Sequence, residues 1–154
     1  MHMQSSGPGD GVGAEWAKVA AFASAVDAGL DRWLSDAYRV GLTEFRALAF
    51  VSRSPEKELR VNDLAQRVGL NQSSATRLVS RLEAKGLAYR DVCMEDGRGV
   101  YAVITEKGED LLREAREPYE ARVRELLRET SARAQFDARR LTRALGTIGA
   151  IIES

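Results

Sequence analysis

The chain has 154 residues, about one domain's worth, with 23 Lys plus Arg against 23 Asp plus Glu and a formal net charge of zero. Hydrophobic residues at 44% and charged residues at 30% are ordinary globular usage, which excludes a disordered tail, a collagen-like fibre and a supercharged nucleic-acid coat. One cysteine, Cys93, and one histidine, His2, argue against an intrachain disulfide, a zinc site, and a Ser-His or Cys-His catalytic pair.

Residues 1–13 are rich in Gly and Ser without periodicity and are predicted to be a disordered lead-in. From Ala14 to Arg39 the apolar positions Val19, Ala23, Val26, Leu30, Trp33 and Ala37 step by four and three, one face of a long helix. Trp16, Ala20, Phe22 and Leu34 widen that face. So broad a face needs other helices or a second copy of the chain to cover it. Thr43 is the expected cap of a helix through Phe45, Leu48, Ala49 and Val51, which Ser54-Pro55 ends. Glu56 to Arg60 reads as a polar link. Asn62 to Val68 is a short helix closed by Gly69, and Asn71 caps another from Gln72 to Lys85, closed by Gly86. Leu87 to Met94 and Val100 to Ile104, joined through Glu95-Asp96-Gly97-Arg98-Gly99, read as a β-hairpin. Thr105 caps a helical region to about Ser131, with an interruption expected at Pro118. Ala134, Ala138, Leu141, Leu145, Ile148 and Ile152 give a last amphipathic helix.

Charge is unevenly placed. Between Arg60 and Arg90 there are six bases and two acids, +4, while residues 1–42 carry three bases and five acids, −2, and residues 105–154 carry ten of each. A cationic middle in a neutral chain is the footprint expected of local nucleic-acid contact. The excess of arginine, 19 against 4 lysines, is also what a GC-rich codon usage gives by itself.

The informative stretch is LAQRVGLNQSSATRLVSRL. Ala65, Gly69, Ala75 and Leu78 have the spacing of a helix-turn-helix: a small residue at the crossing, a glycine in the turn, and two residues facing back. With Ala75, Leu78, Val79 and Leu82 inward, Gln72, Ser73, Thr76, Arg77 and Ser80 face out. Small polar residues admit a helix to a major groove, and an arginine there pairs with guanine. Ser73, Ser74 and the helix N-terminus suit phosphates. The plain alternative is a solvated face on an ordinary helix pair. The hairpin that follows makes the unit a winged helix, and Arg98 between two glycines suits a narrow minor groove; its plain alternative is a solvated turn residue.

The segments LAQRVGLNQSSATRLVSRLEAKGLAYR and EDGRGVYAVITEKGEDLL resemble the MarR family of bacterial transcription regulators. The second holds an Asp-x-Arg wing motif, Asp96 and Arg98, and the Thr-Glu-Lys-Gly start of the following helix. The match runs from Thr43 to Leu112 at the motif level; the flanking helices agree only in order and length. The resemblance implies a homodimer built from the first, fifth and sixth helices, a palindromic double-stranded DNA operator, and a small-molecule effector that releases it. It implies that Arg77 reaches bases, that Arg98 is the wing-tip arginine, and that Asp96 braces the wing. Gly97 departs from the pattern, since many members carry a second arginine there.

The expected fold is therefore mainly α. A winged helix-turn-helix lobe over residues 42–104, with a two-stranded wing, is flanked by dimerisation helices at 14–41 and 105–154. The DNA-binding set is Asn71, Gln72, Ser73, Ser74, Thr76, Arg77, Ser80, Arg81, Arg90, Asp96 and Arg98, with Arg60 among the electrostatic contacts. The effector cleft of proteins that this chain resembles lies between the dimer helices and the DNA-binding lobe. Trp33, Tyr38, Phe45 and Phe50 are the aromatic candidates for its lining, and each equally fits a core position. No cofactor or metal is expected; Glu106, Glu109 and Asp110 cluster at a helix start, where the macrodipole accounts for them. No apolar run approaches the ~20 residues of a membrane span and no signal sequence opens the chain, so a cytoplasmic protein is expected. Two other readings stand beside a DNA-binding repressor. One is a winged-helix module for protein contact, which would need large exposed apolar residues on the Gln72–Arg81 face, and that face has none. The other is an oxidant sensor through Cys93, limited to an intermolecular bridge or a small-molecule adduct. An enzyme lacks a nucleophile–base set.

Overall fold

The computed structural model describes residues 11–93, 99–133 and 137–153. In chain order the elements are α1 (Val12–Tyr38), α2 (Leu42–Arg53), a 3-10 turn (Pro55–Lys57), β1 (Glu58–Arg60), α3 (Val61–Val68), α4 (Gln72–Ala84), β2 (Ala88–Cys93), β3 (Gly99–Ile104), α5 (Glu106–Arg133) and α6 (Ala138–Glu153). They group into two compact units, one spanning residues 31–119 and one made of the chain up to Leu30 with the chain from Glu120 on.

The 31–119 unit closes on its own core. Leu34, Leu48, Val51, Leu64, Leu78, Val79 and Leu82 are fully enclosed, and each such side chain contributes about 1.5–3 kcal/mol relative to exposure. Helices α3 and α4 end alike. Gly69 and Gly86 sit at φ 71° and 73°, and the next residue's amide reaches back five positions, Leu70 N to Ala65 O at 2.8 Å and Leu87 N to Leu82 O at 2.9 Å. That is a Schellman closure, which needs the left-handed residue glycine supplies. Asn71 starts α4 as expected, its Oδ1 accepting from Ser74 N at 2.8 Å. Thr105 caps α5 by accepting from Gly108 N at 3.1 Å. At Gly108 the backbone approach leaves no room for a side chain: a Cβ would lie 2.4 Å from Leu87 O.

Several expectations need correction. The wing sheet has three antiparallel strands in the order β1-β3-β2, not two. The supposed polar link supplies β1, paired Glu58 to Val103, Leu59 to Ala102 and Arg60 to Tyr101. Three residues are too few to show a period, so only the long-range pairing makes them a strand. Helix α2 begins one residue before Thr43, with Gly41 as its cap and no side-chain capping bond of its own. Asp31 of α1 does the capping, accepting from Leu42 N at 2.8 Å. Helix α5 runs through Pro118 without interruption. Pro118 and Glu114, whose carbonyl loses its partner, are both exposed, so water meets the orphaned group. Helix α1 already includes Val12 and Gly13, within the predicted disordered lead-in. Along α1 the buried apolar side chains are Val26, Leu30 and Leu34, whereas Val19, Ala23 and Ala37 are exposed.

In the second unit Val26, Leu30 and Leu126 are buried. Gly29 permits the close contact there, because a Cβ would come 2.7 Å from Leu126 Cδ2. Asp137 caps α6 through Arg139 N at 3.0 Å and Arg140 N at 3.3 Å; Ala134, the predicted start, lies outside the described residues. Helix α6 buries none of its residues. Among the described residues no helix is long and apolar enough to cross a membrane.

Candidate nucleic-acid interface

The period of α4 divides it as the sequence predicts. Ala75, Leu78, Val79 and Leu82 are buried, and Gln72, Ser73, Thr76, Arg77, Ser80 and Arg81 are exposed. The exposed side is small and hydroxyl-rich, and its hydroxyls are held close to the helix. Thr76 Oγ1 donates to Gln72 O at 2.9 Å and Ser80 Oγ to Thr76 O at 3.0 Å. Ser73 Oγ donates to Asn71 Oδ1 at 3.1 Å. A helix with so short a surface fits a groove about 12 Å wide. Arg77 and Arg81 are long exceptions; Arg77 Nη2 donates to Ser74 Oγ at 3.2 Å, a neutral partner, and no acid pairs with it among the described residues.

Arg81 and Arg90 of the predicted set are engaged across elements. Arg90, on β2, donates to Thr76 O at 3.3 Å and to Ser80 Oγ, and its Nε lies 3.7 Å from Glu83 Oε2. All three partners belong to α4, so Arg90 straps the sheet to the helix. Arg81 pairs through Nε with Glu44 Oε1 at 3.5 Å. At the edge of the sheet Arg60 donates from Nε to Tyr101 Oη at 2.9 Å and stacks 5.5 Å from that ring. Between these parts opens a cleft of about 200 Å³, lined by Arg60, Asn62, Gln72, Thr76, Arg90 and Val100 among others. Two guanidinium groups, two amides and a hydroxyl give it a cationic, hydrogen-bonding wall.

Asp96, Gly97 and Arg98 lie outside the described residues, as does the side chain of Cys93. The four aromatic candidates are distributed over three contacts. Trp33 meets Tyr38 edge-on at 5.5 Å, Phe45 lies 4.7 Å from Tyr119, and Phe50 carries Arg53 at 5.3 Å. Glu109, ascribed to the macrodipole, also accepts from Ser52 at 3.0 Å and pairs with Lys57 at 3.1 Å. Among the described residues no group of three or more His, Cys, Asp or Glu side chains is placed to hold a metal.

Glu44 is a residue the motif reading passes over. It is buried, with Oε2 2.6 Å from Lys85 Nζ. Its signal is present in the sequence: positions 44, 47, 48 and 51 share one helical face, and the other three, Ala47, Leu48 and Val51, are fully buried. A carboxylate on an apolar stripe needs a cation from elsewhere.

Known proteins share both the motif and the fold. Residues 40–99 match the model described as the MarR family. Curated protein sequences give no match. Among solved structures, a MarR family transcriptional regulator from Streptomyces coelicolor in complex with DNA has a TM-score of 0.75 at 25% identity, covering 90% of this chain and 83% of that one. AbsC, a MarR family transcriptional regulator from the same organism, has a TM-score of 0.73 at 23% identity, covering 90% of each chain. MepR of S. aureus, solved in complex with DNA, has a TM-score of 0.68 at 16% identity, covering 90% of this chain and 96% of that one. The matched segment, residues 40–99, spans the helix-turn-helix and the first two strands, and the chain shares its fold along nine-tenths of its length with MarR family transcriptional regulators.

Proposed function

We propose that the chain binds double-stranded DNA as a homodimer, places α4 in the major groove of each half of a palindromic operator, and represses transcription until a small-molecule effector releases it. The observation that carries the DNA reading is the exposed face of α4. It is polar, short-chained, free of large apolar residues, and crossed by one arginine with no acid partner among the described residues. Two of the structurally similar regulators were solved with DNA, which supports the same reading. Arg77 reaches a base edge; Asn71, Ser73 and Ser74 at the start of α4 serve phosphates. Arg98 at the wing tip enters the minor groove and Asp96 steadies that loop. Arg90 acts from behind, holding the wing sheet against α4.

The homodimer reading rests on apolar side chains that one chain leaves open. Leu145, Ile148, Ile151 and Ile152 of α6 and Trp16 and Val19 of α1 are exposed. A stable dimer buries about 2,000 Å² or more, much of it apolar, and these residues are the material for it. The test is selection of bound duplexes from a random pool with purified protein, followed by titration at several salt concentrations. An enriched palindrome is the expected result, with log affinity falling against log salt by about 0.9 per phosphate neutralised. No enriched sequence, or an affinity indifferent to salt, moves the function to protein contact.

A further inference from the structure

Glu44 is one of two polar or charged side chains buried among the described residues. Its two carboxylate oxygens serve different cations on one helix end. Oε2 takes Lys85 Nζ at 2.6 Å and Oε1 takes Arg81 Nε at 3.5 Å. Lys85 is tied further, donating to Arg39 O at 3.0 Å, and Lys107 Nζ donates to Lys85 O at 2.9 Å. Arg39 itself holds a left-handed φ of 59°, an uncommon state for a residue with a side chain, here stabilised by the bond its carbonyl accepts. The end of α4 is thus fastened through Glu44 to α2 and to the turn before it.

Burying a paired carboxylate is a poor route to stability, because desolvation offsets most of the attraction; an apolar residue at 44 would serve packing as well. What the carboxylate supplies is direction. Arg81 is 53% exposed and follows Arg77 by one turn, so the two share a side of α4. With Nε turned to Glu44, the two Nη groups are the edge of its planar fork left for a ligand. We infer that Glu44 is a positioning residue for DNA discrimination: it orients the Arg81 guanidinium and fixes the end of α4, without touching DNA itself. The role rests on the DNA-reading function proposed above. Glu44 also places a negative charge near the duplex, so it weakens indiscriminate binding while it sharpens the specific contact.

The experiment compares parent, Glu44→Gln, Arg81→Ala and the double variant on two duplexes of equal length at one salt concentration. One duplex carries the sequence selected from the random pool and the other the same bases scrambled. Glu44→Gln lowers the selected-to-scrambled affinity ratio about tenfold, within what one well-placed arginine contact is worth, while binding to the scrambled duplex stays equal or tightens. Adding Glu44→Gln to Arg81→Ala lowers the ratio no further. A general loss of folded protein reduces both affinities alike and leaves the ratio unmoved, so an unchanged ratio, or full additivity in the double variant, overturns the role. If Glu44→Gln fails to fold, Arg81→Lys replaces it. Lysine keeps the charge but cannot divide between carboxylate and duplex, so the ratio falls with the salt slope unchanged; a ratio equal to the parent's overturns the role. A parent that binds both duplexes equally overturns the DNA-reading function and Glu44's part with it. A parent that discriminates beside a Glu44→Gln variant that discriminates equally overturns only Glu44's part.

Discussion

Helices α4 and α6 are both amphipathic, and they meet opposite fates in a single chain. Helix α4 buries its whole apolar side, with Ala75, Leu78, Val79 and Leu82 fully enclosed, and presents a polar one. Helix α6 buries nothing; Ile151 and Ile152 are 68% and 78% exposed. Opposite burial points to opposite roles. A face that is already buried specifies the fold, so the polar side of α4 is free to be chosen for a ligand. A face that stays open in one chain is an unmet demand for apolar cover, which is the ground for the proposed second copy.

Truncation in the self-contained core challenges this contrast hardest. Leu78→Ala leaves a cavity beneath α4 and costs about 2–5 kcal/mol, read by urea unfolding. Because Leu78 is enclosed within the 31–119 core, most of that loss persists at any protein concentration. Gly108→Ala comes next. Its Cβ would press on Leu87 O and Ile104, and backbone cannot step aside as a flexible side chain can, so about 1–3 kcal/mol is lost. Asn71→Ala removes the bond to Ser74 N and costs about 1 kcal/mol, with a matching loss of DNA affinity because the start of α4 frays. On the other side of the contrast, Ile152→Ala at so exposed a position changes the unfolding of an isolated chain by no more than about 0.5 kcal/mol. Its effect appears in the concentration dependence of oligomer mass by light scattering. A concentration-independent loss like that of Leu78→Ala would show α6 to be covered within its own chain.

The same contrast explains what could be read in the sequence. The α3–α4 segment is written in local signals: Asn71 caps, Gly69 and Gly86 close, and the 3.6 period separates Leu78 from Arg77. Each acts within a few residues, so the elements and the exposed face follow directly. Strand β1 is the opposite case. Glu58 to Arg60 has no period of its own and becomes a strand only because Val103, Ala102 and Tyr101 lie opposite. The start of α2 also depends on distance, since Asp31 supplies the cap eleven residues away. Among the site residues, exposure was legible and engagement was not. Arg81 and Arg90 share a charge type with Arg77, yet each is bound to a partner on another element. Glu44 stood on a visible apolar stripe, and its oddity there was the available clue.

If the exposed face of α4 reads DNA, Arg77 is the residue on which that face turns. The decisive measurement is a binding titration of Arg77→Ala on the selected operator, with unfolding followed in parallel. The expected result is a loss of about 1–3 kcal/mol per half-site and a relaxed base preference at one position in each half, with stability changed by no more than about 0.5 kcal/mol because the side chain is exposed. A variant that binds the operator as tightly as the parent, with the same base preference, would contradict this assignment and move the reading surface away from α4.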